Sequence, residues 1–245
     1  MQKIISQVRR AVEDFDMIAA GDRIAVGVSG GKDSLLTLWA LAELRRFYPK
    51  PFEVEAITLD MGSSLNFSQV ESFCENLNVP FTIVPTNIFE VVFEVRKETH
   101  PCSLCAKMRR GALHGAAIER GCKKVALGHH LDDAVETFML SLFFEGRVSC
   151  FRPVTYLDRK DITLLRPLLY VEETQVRKAA VKLDLPIVVN PCPANGYTKR
   201  QEVKELLISL EETYPDLRHK IFGAMKRYPL QGWECESPVD RTQEK

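Results

Sequence analysis

Residues 23–34 read Arg23-Ile24-Ala25-Val26-Gly27-Val28-Ser29-Gly30-Gly31-Lys32-Asp33-Ser34, and this stretch decides the fold. Its first half is a short apolar run with the make-up of a strand buried on both faces of a parallel sheet. The run breaks at Gly30-Gly31, and residues 35–47 read as a helix. A strand that turns through glycines into a helix aims several backbone N–H groups at one point. Glycine lets that backbone come close to an anion, and the helix dipole favours negative charge there. Lys32 adds a point charge, and the Ser29 and Ser34 hydroxyls add donors. The segment is a candidate phosphate loop.

Outward from this loop, strand-like and helix-like segments alternate. An amphipathic helix over residues 3–19 comes first, with Ile4, Val8, Val12, Phe15 and Ile18 at helical spacing. Strands are expected at 54–59, 81–84, 124–127 and 162–165, besides the one at 23–28. Helices are expected at 67–77, 87–96, 101–120, 132–144, 172–183 and 199–212. Such alternation predicts an α/β fold with a parallel five-stranded sheet and helices on both faces. Three parts are expected: an N-terminal helix over 1–20, the main domain over 21–212, and a C-terminal extension over 213–245 that ends in a loose tail.

The 245 residues suffice for one large α/β domain. An apolar share of 45% and a charged share of 27% are ordinary for a soluble protein. With no long apolar run and no signal-peptide pattern, a cytoplasmic location and no membrane partner are expected. Seven cysteines in such a setting argue for packing, metal or catalysis rather than disulfides. The formal net charge is zero, yet the charge is unevenly spread. Residues 50–94 hold seven acidic side chains and one lysine, whereas residues 96–124 hold eight basic ones and two glutamates. That basic stretch is either a solvated helix face or a surface for phosphates.

Two familiar phosphate loops do not fit. A Walker A loop needs glycine five residues before Gly31, where Val26 stands, and Asp33 separates Lys32 from Ser34. The dinucleotide fingerprint lacks its third glycine. A second motif, Gly128-His129-His130-Leu131-Asp132-Asp133-Ala134-Val135-Glu136-Thr137, ends the strand at 124–127 and opens the next helix. Ligands of open parallel sheets bind at the carboxyl ends of strands, so this segment is expected to face the loop. Its paired carboxylates could hold Mg²⁺ against phosphate oxygens, or Asp132 could cap the helix.

Cys102 and Cys105 fall in the first turn of the helix that Pro101 opens, where positions i and i+3 share a face. The dipole at that end lowers thiol pKa and so favours metal-binding thiolates. Cys192, between Pro191 and Pro193, is the remaining cysteine in a rigid setting. Three thiolates leave several options open. Zinc would need a fourth ligand, for which His100 or His114 is available. A redox pair is conceivable, and a [4Fe–4S] cluster on three cysteines would keep one iron open. Spacing alone does not choose.

A resemblance narrows the options. Ser29-Gly30-Gly31-Lys32-Asp33-Ser34 resembles the SGGxDS loop of the ATP-pyrophosphatases, or PP-loop enzymes. Residues 129–137 resemble the HHxDDxxET motif shared by tRNA lysidine synthetases and tRNA 2-thiocytidine synthetases. Pro101-Cys102-Ser103-Leu104-Cys105, followed by Arg109-Arg110-Gly111, is similar to the CxxC segment of the thiocytidine enzymes. In that family the cluster rests on this pair and one later cysteine, matched here by Cys192. The segment at 190–196 lacks a second nearby cysteine that some members show, and the chain is short for the family.

The resemblance, which covers residues 20–212, implies the following. Ser29, Gly30, Gly31, Lys32, Asp33, Ser34, Gly128, His129 and His130 bind ATP, with Asp60 near the adenosine. Asp33 and Asp133 hold Mg²⁺. A tRNA cytidine is adenylated with loss of pyrophosphate, and sulfur then displaces AMP. The [4Fe–4S] cluster on Cys102, Cys105 and Cys192 serves as sulfur carrier or Lewis acid. Arg109, Arg110, Lys199 and Arg200 contact the RNA backbone. The sulfur donor would be sulfide or a persulfide derived from a cysteine desulfurase, and a homodimer is compatible with all of this. Competing expectations are a lysidine synthetase, an enzyme thiolating uridine or a small molecule, and a nucleotide-sensing module. Cys74, Cys122 and Cys150 are expected to be packing residues.

Overall fold

A computed structural model describes residues 1–62, 65–96, 101–188 and 199–235. In chain order the elements are α1 (Gln2–Asp14), β1 (Asp22–Gly27), α2 (Lys32–Leu44), β2 (Phe52–Asp60), α3 (Ser68–Asn76) and β3 (Phe81–Pro85). Then follow α4 (Pro101–Glu119), β4 (Lys124–Ala126), α5 (Leu131–Leu140), β5 (Val154–Leu157), β6 (Ile162–Leu165), α6 (Glu173–Lys182), α7 (Lys199–Thr213) and α8 (Leu217–Arg227).

The strands form one sheet in the order β3-β2-β1-β4-β6-β5. The pairs β1–β2, β1–β4, β2–β3 and β4–β6 are parallel. The sheet therefore has six strands rather than five, because β5 pairs antiparallel with β6. A connection of four residues cannot carry a parallel crossover, so the two strands must form a hairpin. Asp161 closes it in the left-handed region at φ 48°.

Successive residues alternate between two cores, as a strand buried on both faces requires. Ile24 and Val26 of β1 join one core with α1, α2, α5 and α6 residues such as Val8, Leu38, Val135 and Val176. Ala25, between them, joins Ile57, Val125, Ile162 and Leu164 under Ala116 and Ala117 of α4.

Two further expectations are corrected. The segment expected as a helix at 87–96 forms a π-helical turn, Glu90–Val95. The helix after the second motif ends at Leu140 and continues as a π-helical turn, Ser141–Glu145, closed by Gly146 at φ 61°. The C-terminal extension carries α8, and beyond it Trp233 is fully buried, its indole N–H donating to the Phe151 carbonyl at 3.0 Å. Residues 236–245, the rest of the expected tail, lie outside the described residues.

From β1 the chain moves outward through β2 to β3, then returns to the other side of β1 for β4 and β6. The connections leaving β1 and β4 thus diverge, which opens a crevice at their carboxyl ends. The glycine loop follows β1 and the His-His-Leu-Asp-Asp segment follows β4.

Candidate active site

The glycine loop is braced by its own serines. Ser34 Oγ accepts from Ser29 N–H at 3.1 Å and donates to the Gly31 carbonyl at 2.9 Å, while the two hydroxyls lie 3.2 Å apart. These bonds use the hydroxyls to shape the loop. Gly30 adopts φ +81°, and a Cβ there would also meet the Val188 side chain at 2.9 Å, so only glycine fits. Gly31 is the N-cap of α2 and no side chain caps that helix. An uncapped, glycine-lined helix start leaves N–H donors for an anion, and this is the feature that fits a polyphosphate.

Lys32 Nζ lies 3.0 Å from Asp33 and 3.4 Å from Glu173, the first residue of α6. Glu173 also takes Lys204 at 2.7 Å and Arg177 at 2.9 Å. Burial alone would raise its carboxyl, but the hydrogen bonds from Lys204 and Arg177 and the charges of Lys204 and Lys32 outweigh it and bring it down to about 2. The sequence reading missed Glu173. Its only local signal was an acidic helix start soon after the carboxyl end of β6.

His130 caps α5 through its side chain. Its Nδ1 accepts the Asp133 N–H at 3.4 Å, and Asp133 Oδ2 accepts the His130 N–H at 3.0 Å. This reciprocal pair fixes the buried imidazole, with Nε2 3.7 Å from Asp33 and 3.4 Å from Asp133. Asp33 and Asp133 therefore flank one ring edge, a pair of hard oxygen donors of the kind Mg²⁺ accepts. Asp132 lies by the other ring nitrogen, its Oδ2 3.7 Å from Nδ1, and bonds away from the pair. Its Oδ2 accepts the Glu173 N–H at 2.7 Å and Oδ1 pairs with Arg218 at 3.4 Å. Asp132 thus serves the start of α6, not of α5.

His129 packs on Phe151 instead, the rings tilted at 43° with centroids 5.0 Å apart. Burial, followed by the charge of Arg166, lowers its pKa to about 4, so the ring is neutral at neutral pH. Gly128 also supplies space. A Cβ there would lie 2.8–2.9 Å from backbone atoms of Asp33 and Ser34, and this close approach brings the two motifs together. Asp60 holds its own turn, accepting the Gly62 N–H at 3.0 Å at the end of β2.

Arg200 reaches the site from α7, pairing with Glu136 at 3.3 Å and Asp133 at 3.7 Å. Burial raises the Glu136 carboxyl, and the Asp133 charge adds to this. Lys199, beside it, lies 5.4 Å over the Phe144 ring.

On α4, Leu113 packs directly against Gly27 at the end of β1. Cys105 lies eight residues before Leu113, about 12 Å along the helix at 1.5 Å per residue. Cys102 is exposed and Cys105 half-buried in the first turn, and Arg109 and Arg110 follow on the same helix. Cys192 lies outside the described residues. Among the described residues, no group of three or more His, Cys, Asp or Glu could hold a metal ion. The described pair offers two thiols three residues apart on one helix, donors of the kind an iron–sulfur cluster takes. By contrast, burial pushes Cys74 and Cys150 up to about 12 and Cys122 up to about 11, values that keep them protonated and suit packing. No described helix is long and apolar enough to cross a membrane.

Comparison with known proteins agrees with this geometry. Residues 1–210 match the family model described as a PP-loop domain. The chain is 40% identical over 222 residues to a tRNA-cytidine(32) 2-sulfurtransferase of Pelobacter propionicus, covering 89% of this chain and 82% of that protein. It is 38% identical over 228 residues to the enzyme of the same name from Geobacter sulfurreducens, covering 91% and 89%. Among solved structures it is similar to the U34-tRNA thiolase NcsA from Methanococcus maripaludis with its [4Fe-4S] cluster. The TM-score there is 0.74 at 27% identity, over 93% of this chain and 78% of that one. The chain therefore belongs to the PP-loop family and, within it, to the family of the tRNA-cytidine(32) 2-sulfurtransferases.

Proposed function

We propose that this chain is an ATP-dependent tRNA sulfurtransferase that adenylates a cytidine of the anticodon loop and replaces its 2-oxygen with sulfur. The observation that carries the proposal is the convergence of an uncapped, glycine-lined helix start with Lys32, Asp33, His130 and Asp133 at the switch point of the sheet.

Gly30, Gly31 and the first turn of α2 bind the β- and γ-phosphates through backbone N–H groups, and Lys32 neutralises their charge. Asp33 and Asp133 would hold Mg²⁺, and His130 orients both carboxylates. Asp60, one strand away, contacts the adenosine. The cytidine 2-oxygen attacks the α-phosphorus: an O–P bond forms, the bond to the β-phosphate oxygen breaks, and pyrophosphate leaves. A sulfur nucleophile then adds at the same carbon, the C–O bond breaks, and AMP departs. Arg109, Arg110, Lys199 and Arg200 bind RNA, although Arg200 also steadies Asp133 and Glu136.

Cys102, Cys105 and Cys192 would hold a [4Fe–4S] cluster, which would supply a Lewis-acidic centre for sulfur. The donor is sulfide, or a persulfide from a cysteine desulfurase whose S–S bond is cleaved by a thiol reductant that supplies the two electrons; the enzyme acts in the cytoplasm, and a homodimer is compatible with this chemistry. Residues 21–212 form its catalytic unit, with 1–20 and 213–245 as flanking parts.

Turnover with ATP and tRNA tests this reading. AMP and pyrophosphate are the expected products, and Lys32→Ala should slow their release by about 10²-fold, as for loss of one placed charge. Release of ADP and phosphate would contradict it.

A further inference from the structure

Four large apolar side chains lie exposed within seven residues where the chain leaves α5: Leu142 at 40%, Phe143 at 49%, Phe144 at 52% and Val148 at 67%. Val181 and Tyr228, by contrast, stand singly, which is normal for a soluble surface. This group is built rather than loose. Leu142, Phe143 and Phe144 ride on the π-helical turn Ser141–Glu145, which is capped by Gly146 in the left-handed region. The turn continues the helix whose first residues carry Asp133, and π-helical turns mark functional places more often than chance.

We infer that this ridge is a stacking platform for unpaired bases of the RNA substrate, with Phe144 and Lys199 as its central pair. The inference rests on the tRNA reading above and adds the surface that would receive the loop.

Three observations favour RNA over other occupants. Lys199 Nζ lies 5.4 Å over the Phe144 ring, and exposed Arg147 follows two residues past Glu145. Aromatic faces interleaved with cations are the combination that binds single-stranded nucleic acid, through base stacking and phosphate contact together. The centre of a protein–protein interface is instead depleted in Lys and Glu, both present here. The ridge is also continuous with the candidate active site. Lys199 neighbours Arg200, which hydrogen-bonds Glu136 and Thr137 and pairs with Asp133. Asp133 and Phe144 are eleven residues apart, about 16 Å at helical rise. That is the reach of a few unpaired nucleotides, so a base held at the phosphate loop leaves its neighbours over the ridge.

The test uses the full chain, an unmodified tRNA transcript and an RNA duplex without an unpaired loop, with Kd measured across a salt series. Phe144→Ala should weaken tRNA binding about tenfold to a hundredfold, the effect of losing stacking on one or two bases. The salt slope should stay unchanged, because no phosphate contact is lost. Phe144→Tyr should retain affinity and Phe144→Leu should not, since Leu is apolar but offers no ring. Duplex binding should be insensitive to all three. Val181→Ala, another exposed apolar site, controls for general surface effects, and thermal midpoints confirm that each variant folds.

Unchanged tRNA affinity in Phe144→Ala, beside a wild type that binds, would overturn the ridge and leave the tRNA reading standing. Full rescue by Leu, or a wild-type oligomer that Phe144→Ala splits in sedimentation, would make the ridge an apolar protein interface instead. A wild type that binds neither RNA would overturn both readings at once.

Discussion

Replacing Gly128 by Ala tests how the two motifs are held together. A Cβ at residue 128 would sit 2.8 Å from the Asp33 carbonyl carbon, 2.9 Å from its oxygen and 2.9 Å from Ser34 N. Ordinary carbon contacts begin near 3.4 Å, so the start of α2 must retreat by about 0.6 Å. The obstructing atoms are backbone in the first turn of a helix, and no rotamer change relieves the clash. Overpacking of this kind costs about 1–3 kcal/mol, which lowers the thermal midpoint by roughly 2–12 °C for a domain of this size. The displaced atoms belong to the phosphate loop, so turnover should suffer more than folding. A misplacement approaching 1 Å is worth up to about 10²-fold in rate. Gly111 provides the comparison: it is exposed in α4, a Cβ there meets nothing within 4 Å, and Gly111→Ala should stabilise the chain by about 1 kcal/mol. The assays are thermal unfolding and tRNA-dependent pyrophosphate release. If Gly128→Ala unfolds and turns over like wild type, the close approach of the two motifs is not what positions Asp33.

Other expectations follow from single contacts. The Glu173 carboxyl is held at about 2 against an ordinary 4.5; the stability it contributes is full above pH 4.5 and lost as pH falls from there through about 2. Glu173→Gln should remove that part of the acid transition, and an unchanged acid limb in denaturation curves would refute the Lys32–Glu173–Lys204 cluster. His129 has the same sign for a different reason: its pKa is lowered from 6.5 to about 4, so its share of stability fades as pH drops from 6.5 to 4. His129→Gln should flatten that window, and an unchanged stability profile between pH 6.5 and 4 would refute the burial of the ring. Removing Arg109 and Arg110 together should weaken tRNA binding and reduce the steepness of its salt dependence, because each lost phosphate contact releases fewer counterions; an unchanged slope would place the RNA elsewhere. Ala at Cys102, Cys105 or Cys192 should abolish iron and sulfide content in anaerobically purified protein, whereas Cys74→Ala should preserve both. Full iron content in any of the three would break the trio.

What could be read from the sequence was local. The strand, glycine loop and helix at 23–47 stand in one uninterrupted stretch, and so do β4 and the start of α5 with its two histidines. Their meeting followed from the rule for strand ends in parallel sheets. The misreadings involve partners distant along the chain. Asp132 could cap its own helix by spacing, yet its oxygen goes to Glu173, 41 residues away. The Lys32–Glu173 pair joins the start of α2 to the start of α6, and no local pattern encodes it. Of the adjacent histidines at the strand end, His130 enters the site while His129 packs on Phe151. The edge strand β5 is four residues long and exists through pairing with β6, which a propensity reading does not capture. Cys192 rests on its Pro-Cys-Pro setting and the family resemblance, because it lies outside the described residues.

The most direct measurement is the product balance of one reaction. Anaerobically purified protein is given ATP, Mg²⁺, sulfide and unmodified tRNA, and AMP, pyrophosphate and the tRNA nucleosides are quantified by mass spectrometry. The expected result is AMP and pyrophosphate in equal amounts, matched by one 2-thiocytidine per AMP and absent when tRNA is omitted. ADP and phosphate as products, or AMP release with no sulfur entering cytidine, would contradict the proposed chemistry.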